Sequence, residues 1–192
     1  MTYIDRNIVD FDFEAELGRV SPQRHEKVNR IIPENSRRQS VAAFRLLQKA
    51  LEKEYGITGK IEFAFADKGK PYLPDYPMVY FNISHCCKAV AVAVGDEPVG
   101  VDVEEICPFD KDLAQRVLSE DELEFVTHSD SPAVEFTKLW TLKEGYLKMT
   151  GEGLVDNITS LCVDNVIHET IVDKENGFVC TVVGGNNQKW AE

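Results

Sequence analysis

Asp102 and Glu104 lie two residues apart in VGVDVEEI, and Glu144 and Lys148 lie four apart in LWTLKEGYLKM. Two-residue spacing puts side chains on one face of a strand; four-residue spacing puts them on one face of a helix. Three carboxylates brought together from two elements can hold a hard divalent cation. All-oxygen acidic donors suit magnesium, or manganese as a substitute, and not zinc. In that reading Glu144 ligates the cation, and Lys148, one turn on, holds an anion bound to it. The cation would let the neighbouring carboxylates stay ionised against their mutual repulsion. A plainer reading stands beside each pair. Asp102 and Glu104 also fit the wet face of an edge strand, and Glu144 and Lys148 fit an exposed ion pair worth about 0.3 kcal/mol.

Two further stretches carry groups that bind phosphate. In FNISHC a strand ends and presents Ser84 and His85 at its tip. A serine hydroxyl can donate to a phosphate oxygen, as can a histidine whose presented ring nitrogen carries a proton. A turn serine and a surface histidine fit the same residues. Gly69-Lys70-Pro71 is generic, and a surface turn is the better reading of it by itself. No pair of histidines at helix spacing competes for a metal role.

The elements that must position these groups follow from periodicity and punctuation. Ser21 and Pro22 open a short basic helix, PQRHEKVNRI, which Pro33 interrupts. A second helix begins near Asn35 or Ser36, carries Val41, Phe44, Leu47, Leu51 and Tyr55 at helical spacing, and stops at Gly56. Strands are predicted over 61–65, 78–83, 89–94 and 99–104, with GDEP joining the last two as a hairpin. Residues 109–118 read as an amphipathic helix. Ser119 and Glu122 form a capping box, and Ser131-Pro132 starts the helix that carries Glu144 and stops at Thr150-Gly151. LCVDNVIHETIV and GFVCTVV read as C-terminal strands. Helices followed by strands thus occur twice.

Composition narrows the partners. The net charge is −12 over 192 residues, which argues against general binding to nucleic acid or to an anionic membrane surface. Between Arg19 and Lys53, however, nine Lys or Arg face three Glu. A basic patch on an acidic chain points to a local anionic ligand. The five cysteines form no CxxC pair, and the N-terminal stretch is acidic and broken by charges. Free thiols, no signal peptide and a cytoplasmic location are the expectation. No apolar run is long enough to span a bilayer.

Taken in order, SPQRHEKVNR, GKP, FNISH, GVDVE and LWTLKEGYLK followed by GEGL resemble the 4′-phosphopantetheinyl transferases, specifically their single-chain Sfp-like branch, over about residues 20 to 155. The resemblance implies an α+β pseudo-dimer of two similar lobes, 1–100 and 101–192, with the active site in the cleft between them. It implies transfer of the phosphopantetheine arm of coenzyme A to a serine of an apo acyl or peptidyl carrier protein, releasing 3′,5′-ADP, by a chain sufficient as a monomer. By motif match Asp102, Glu104 and Glu144 look like the magnesium ligands, and Lys148 like the lysine on the pyrophosphate. Ser84 and His85 look like phosphate contacts, Lys70 and Pro71 like part of the adenine loop, and Arg24 and Lys27 like the basic residues near the 3′-phosphate. The base is Glu144 or a metal-adjacent water.

The chain departs from the pattern in places. Gln39 stands where an arginine is usual, with Arg37 or Arg38 as the substitute. Gly145 replaces a frequent serine and leaves space beside the site. Glu105 adds a charge that strand alternation turns away. Two other readings remain: a catalytically silent coenzyme A- or metal-binding module, and a different magnesium-dependent phosphoryl-transfer enzyme.

Overall fold

A computed structural model of the chain describes every residue except 9, 154–157, 185–189 and 192. Leu154 of GEGL therefore lies outside the described residues.

The alternation in AVAVAV organises the fold. Strand β5 (Val90–Gly95) is central in a three-stranded antiparallel sheet, between β1 (Thr2–Asp5) and β4 (Tyr80–His85). Its valines pack under helix α3 (Glu34–Tyr55), against Val41, Phe44, Leu47 and Leu51. Its alanines face the other way, onto Val99, Val101 and Val103 of strand β6 (Val99–Glu105). Both faces are buried, and the small alanines let the second layer approach closely.

β6 belongs to a different sheet, in the order β6–β8–β7, with β7 at His168–Asp173 and β8 at Phe178–Gly184. The hairpin expected across GDEP does not form. β1 and β4 take both edges of β5, so β6 finds its ladder with β8 and stacks on β5 by side chains. On β6, the Val101 N–H is satisfied by a side chain: Asn82 Oδ1 of β4 accepts it at 3.1 Å.

Other expectations hold in part. Ser21 caps α2 (Pro22–Asn29), and Gly56 ends α3 at φ 66°. Between α3 and β4, only Ala64–Phe65 of IEFAF is strand (β2), paired with β3 (Pro71–Tyr72). β7 takes only the end of LCVDNVIHETIV. The sequence reading missed β1 and the short helix α1 (Phe13–Leu17), whose few residues carry too little periodicity. α4 (Lys111–Val117) and α5 (Glu120–His128) form as expected, the latter with its Ser119–Glu122 capping box. Among the described residues no helix is long and apolar enough to cross a membrane.

Helix α6 (Pro132–Thr150) covers the outer face of β6 and β8. Two glycines set how closely. A Cβ on Gly100 would sit 1.9 Å from the Gly145 carbonyl oxygen and 2.7 Å from the Met149 nitrogen. Nearby, the Thr141 and Thr181 hydroxyls hydrogen-bond across the same interface at 2.7 Å. Overpacking of this kind costs about 3 kcal/mol when backbone must move. Gly100→Ala is therefore expected to lose about that much stability in urea unfolding. An unchanged midpoint would show that α6 does not lie on bare strand backbone.

Candidate functional site

Strand pairing runs unbroken from Val99 to Glu105. With no bulge to reset alternation, Gly100, Asp102 and Glu104 share one face and Glu105 takes the other. The Gly100–Gly145 contact puts α6 over the first of these faces. It is therefore not a wet face: Asp102 is 2% exposed.

Asp102 is held by one strand and one helix. Its Oδ1 accepts the Ser84 hydroxyl of β4 at 2.8 Å and the Lys148 ammonium of α6 at 2.5 Å. Lys148 also donates to Ser84 Oγ at 3.0 Å. Lys148 thus pairs with a carboxylate on another element, where the plainer sequence reading had it beside Glu144. Asp102 Oδ2 is buried with no hydrogen-bond partner.

Glu104 and Glu144 complete a group with surplus negative charge. Burial first, and the Asp102 charge second, raise the Glu104 carboxyl to about 7, with Lys148 opposing. The Glu144 carboxyl is raised by the same two causes in the same order. Among the described residues no three ligating side chains form a ready-made metal cage. The donor chemistry nonetheless fits magnesium, which keeps waters and phosphate oxygens in its shell and needs few protein ligands. The buried Oδ2 of Asp102, without a hydrogen-bond partner, fits such an ion.

A cavity of about 340 Å³ adjoins these groups, walled by Gly69, Lys70 and Pro71 on one side and by Ile83, Glu144 and Lys148 on another. Three separate sequence motifs meet there. Lys70 is tethered rather than free: its Nζ donates to the Met149 carbonyl at 2.5 Å, and its stem lies against Gly151, the left-handed helix stop at φ 74°. A lysine on the last carbonyls of a helix also suits the dipole there.

Ser84 is only 7% exposed, and its hydroxyl is spent on Asp102. His85 is exposed at the strand tip. Protein packed about its ring, then the Lys148 charge, hold its pKa below the ordinary 6.5. Neutral imidazole donates from one ring nitrogen and accepts at the other.

The basic segment divides. Arg24 Nη2 donates to the Ser40 carbonyl at 3.2 Å, its Nε is buried without a partner, and its charge reaches His85. Lys27 is exposed beside it, its pKa lowered by partial burial and by Arg24. Arg37 and Arg38 turn elsewhere. Arg37 bonds Asn29 and lies over Phe13; Arg38 pairs with Glu34 at 3.4 Å beside the rings of Phe11 and Phe13. At the tip of β4 stands Gln39, whose Nε2 donates to the Cys86 carbonyl at 3.1 Å.

Gly145 leaves no spare room. A Cβ there would lie 2.8 Å from Val183 Cγ2, so the glycine is a packing residue and the expected space is filled by β8. Trp140 packs with Phe136 and the helices α4 and α5, its ring 5.9 Å from Phe136. Lys143, which the sequence reading passed over, is fully buried. Its Nζ donates to Glu122 Oε2 at 2.7 Å, the Val117 carbonyl at 3.0 Å and the Ile158 carbonyl at 3.3 Å. It anchors the turn of α6 that carries Glu144. The one hint in the sequence was Glu122, whose second duty outside its capping box no local pattern announces.

The model of the 4′-phosphopantetheinyl transferase superfamily matches residues 98–183. A 4′-phosphopantetheinyl transferase of Bacillus subtilis is 32% identical over 155 residues, covering 79% of this chain and 69% of that protein. The 4′-phosphopantetheinyl transferase gsp of Aneurinibacillus migulanus is 30% identical over 176 residues, covering 90% and 72%. The solved holo-[acyl-carrier-protein] synthase of Thermotoga maritima aligns over 45% of this chain and 61% of its own, at 21% identity and a TM-score of 0.38, too weak a likeness to speak to the fold.

The charge surplus has a pH signature in metal-chelated protein. Glu104 binds its proton more tightly folded, near 7, than its ordinary value of 4.5. The folded state therefore holds more protons between those values, and stability falls as pH rises through them. The thermal midpoint in chelator should drop between pH 5 and pH 7.5, and by less in Glu104→Gln. Equal drops in the two proteins would count against the buried, crowded carboxyl.

Proposed function

Because this chain belongs to the 4′-phosphopantetheinyl transferases, we propose that it moves the phosphopantetheine arm of coenzyme A onto a serine of an apo acyl or peptidyl carrier protein, releasing 3′,5′-ADP. The observation that supports this most is the meeting of GKP, the FNISH strand, GVDVE and the WTLKEGYLK helix around one cavity and one buried carboxylate.

The two three-stranded sheets, each with a long helix on its outer face, support a pseudo-dimer of two lobes, although the expected division between 100 and 101 falls inside β6, whose pairing with β8 puts Val99 and Gly100 with the second lobe. The cavity has walls from both spans. Such a chain needs no second copy to complete the site and would act as a monomer in the cytoplasm.

Asp102, Glu104 and Glu144 would hold a magnesium ion, with manganese as a substitute. Bound there, the ion would supply positive charge to the pyrophosphate and to the leaving group. Lys148 adds a point charge on the same phosphates. Lys70, fixed to the end of α6, and Pro71, paired with Phe65 on β2, would form an edge for the adenine. Arg24 and Lys27 supply charge for the 3′-phosphate, with Gln39 offering a neutral amide where an arginine is usual and Arg38 occupied by Glu34. His85, exposed and neutral, can donate to a phosphate oxygen, whereas Ser84 acts first on Asp102.

The chemical step joins the carrier serine oxygen to the β-phosphorus of coenzyme A and breaks that phosphorus's bond to the oxygen of 3′,5′-ADP. The serine proton needs an acceptor. Glu144 is one candidate; a metal-adjacent water is the other.

The direct test is mass spectrometry of several apo carriers incubated with coenzyme A and magnesium. Gain of the phosphopantetheine mass is expected. A thermal shift with coenzyme A but no carrier modification would instead identify a silent binding module. Glu144→Gln should lower turnover by about a hundredfold or more while coenzyme A still raises the melting temperature. A near-full rate at saturating magnesium would remove Glu144 from the mechanism. Dephospho-coenzyme A should bind more weakly than coenzyme A, and equal affinity would unseat Arg24 and Lys27 from the 3′-phosphate.

A further inference from the structure

α6 carries two lysines in opposite circumstances. Lys143 has a fully buried side chain and three acceptors, so its ammonium is satisfied in place. The Lys148 side chain is 30% exposed, and its ammonium rests on one carboxylate oxygen and one hydroxyl. Lys148 therefore retains a path to solvent and a long stem on which to move.

Its partner cannot be left alone. Asp102 is 2% exposed, and an unpaired carboxylate at that depth is strongly disfavoured. Among the described residues Lys148 is the only cation in an ion pair with Asp102, and Ser84 ties the two together. Yet Oδ2 of the same carboxylate is buried without a partner, and Glu104 and Glu144 lie near enough for the Asp102 charge to raise both carboxyls. A divalent ion on Asp102 would sit within a few ångströms of the ammonium, and like charges that close repel strongly at low dielectric.

We propose that Lys148 is the built-in counter-cation of Asp102, with which a divalent metal must compete. Lys148 then sets the metal affinity of the site as well as contacting the substrate. The inference rests on the metal reading given above. It also supplies an order of events: a pyrophosphate offers the displaced ammonium a new anionic partner, so metal and coenzyme A assist each other's binding. By linkage the assistance is equal in both directions.

The test is calorimetric titration of the full chain with manganese alone, without coenzyme A, in wild type, Lys148→Met, Lys148→Arg and Asp102→Asn. Lys148→Met should bind the metal about tenfold more tightly than wild type. Lys148→Arg, which keeps the charge, should stay near the wild-type value, and Asp102→Asn should bind much more weakly. A merely structural role for Lys148 would lower affinity on its removal, not raise it. Should Lys148→Met weaken the fold, manganese must raise its melting temperature by more than it raises that of wild type. Affinity in Lys148→Met equal to or below wild type, with Asp102→Asn impaired, overturns this inference alone. Affinity indifferent to both substitutions overturns it together with the metal reading.

Discussion

The contact between Gly100 and Gly145 is the constraint on which the site depends. A helix ordinarily rides on a sheet at the height of its side chains; here the two glycines remove that spacer on both surfaces. Gly145 follows Glu144 directly and precedes Lys148 by less than a turn, and Gly100 shares its face of β6 with Asp102. The point of nearest approach is therefore the point where the charged groups meet. A glycine inside a helix costs about 1 kcal/mol against alanine. The Thr141–Thr181 hydrogen bond and the fit of Val183 against Gly145 help to offset it.

Burial then sorts the charges into those that hold the fold and those that remain available. Lys143 anchors α6 to the α4–α5 corner through Glu122, whose other bond closes the capping box with the Ser119 backbone at 2.8 Å. Breaking a buried, well-partnered ion pair leaves an uncompensated charge, so this corner is rigid by construction. Around Asp102 the balance is different. Three carboxylates share one ammonium, one oxygen lacks a partner, and two carboxyls are held above their ordinary values. Such a group is stable as a scaffold and electrostatically unfinished as a site, which is the state expected of a place that binds cations and phosphates.

The basic segment follows the same division. Its charge excess suggests one anion-binding surface, but Arg37 and Arg38 lie over Phe11 and Phe13, bracing the N-terminal segment against α3. Arg45 does likewise with Asp5 and Phe11. Arg24 differs: its charge reaches His85 at the tip of β4, and Lys27 lies beside it. Much of the local positive charge is thus structural, and Arg24 and Lys27 line a separate hollow with Phe63 and Phe65 rather than the cavity beside Lys148.

The sequence by itself determined what local chemistry determines: the caps at Ser21 and Ser119, the stops at Gly56 and Gly151, the alternation that puts Asp102 and Glu104 together, and the motifs that carry the family. Each is a pattern of near neighbours, legible because the competing forces act within one or two turns. The tertiary structure decided whatever depends on partners far along the chain. It moved β6 from an expected hairpin with β5 into another sheet, because β1, read as no element at all, and β4 fill both edges of β5. It turned a face that could have been wet into a buried one and gave Lys148 to Asp102 instead of Glu144. It closed the space expected at Gly145 and revealed Lys143 as an anchor. Strand pairing and burial are set by which surfaces meet, and spacing along one element carries no record of the element that will cover it.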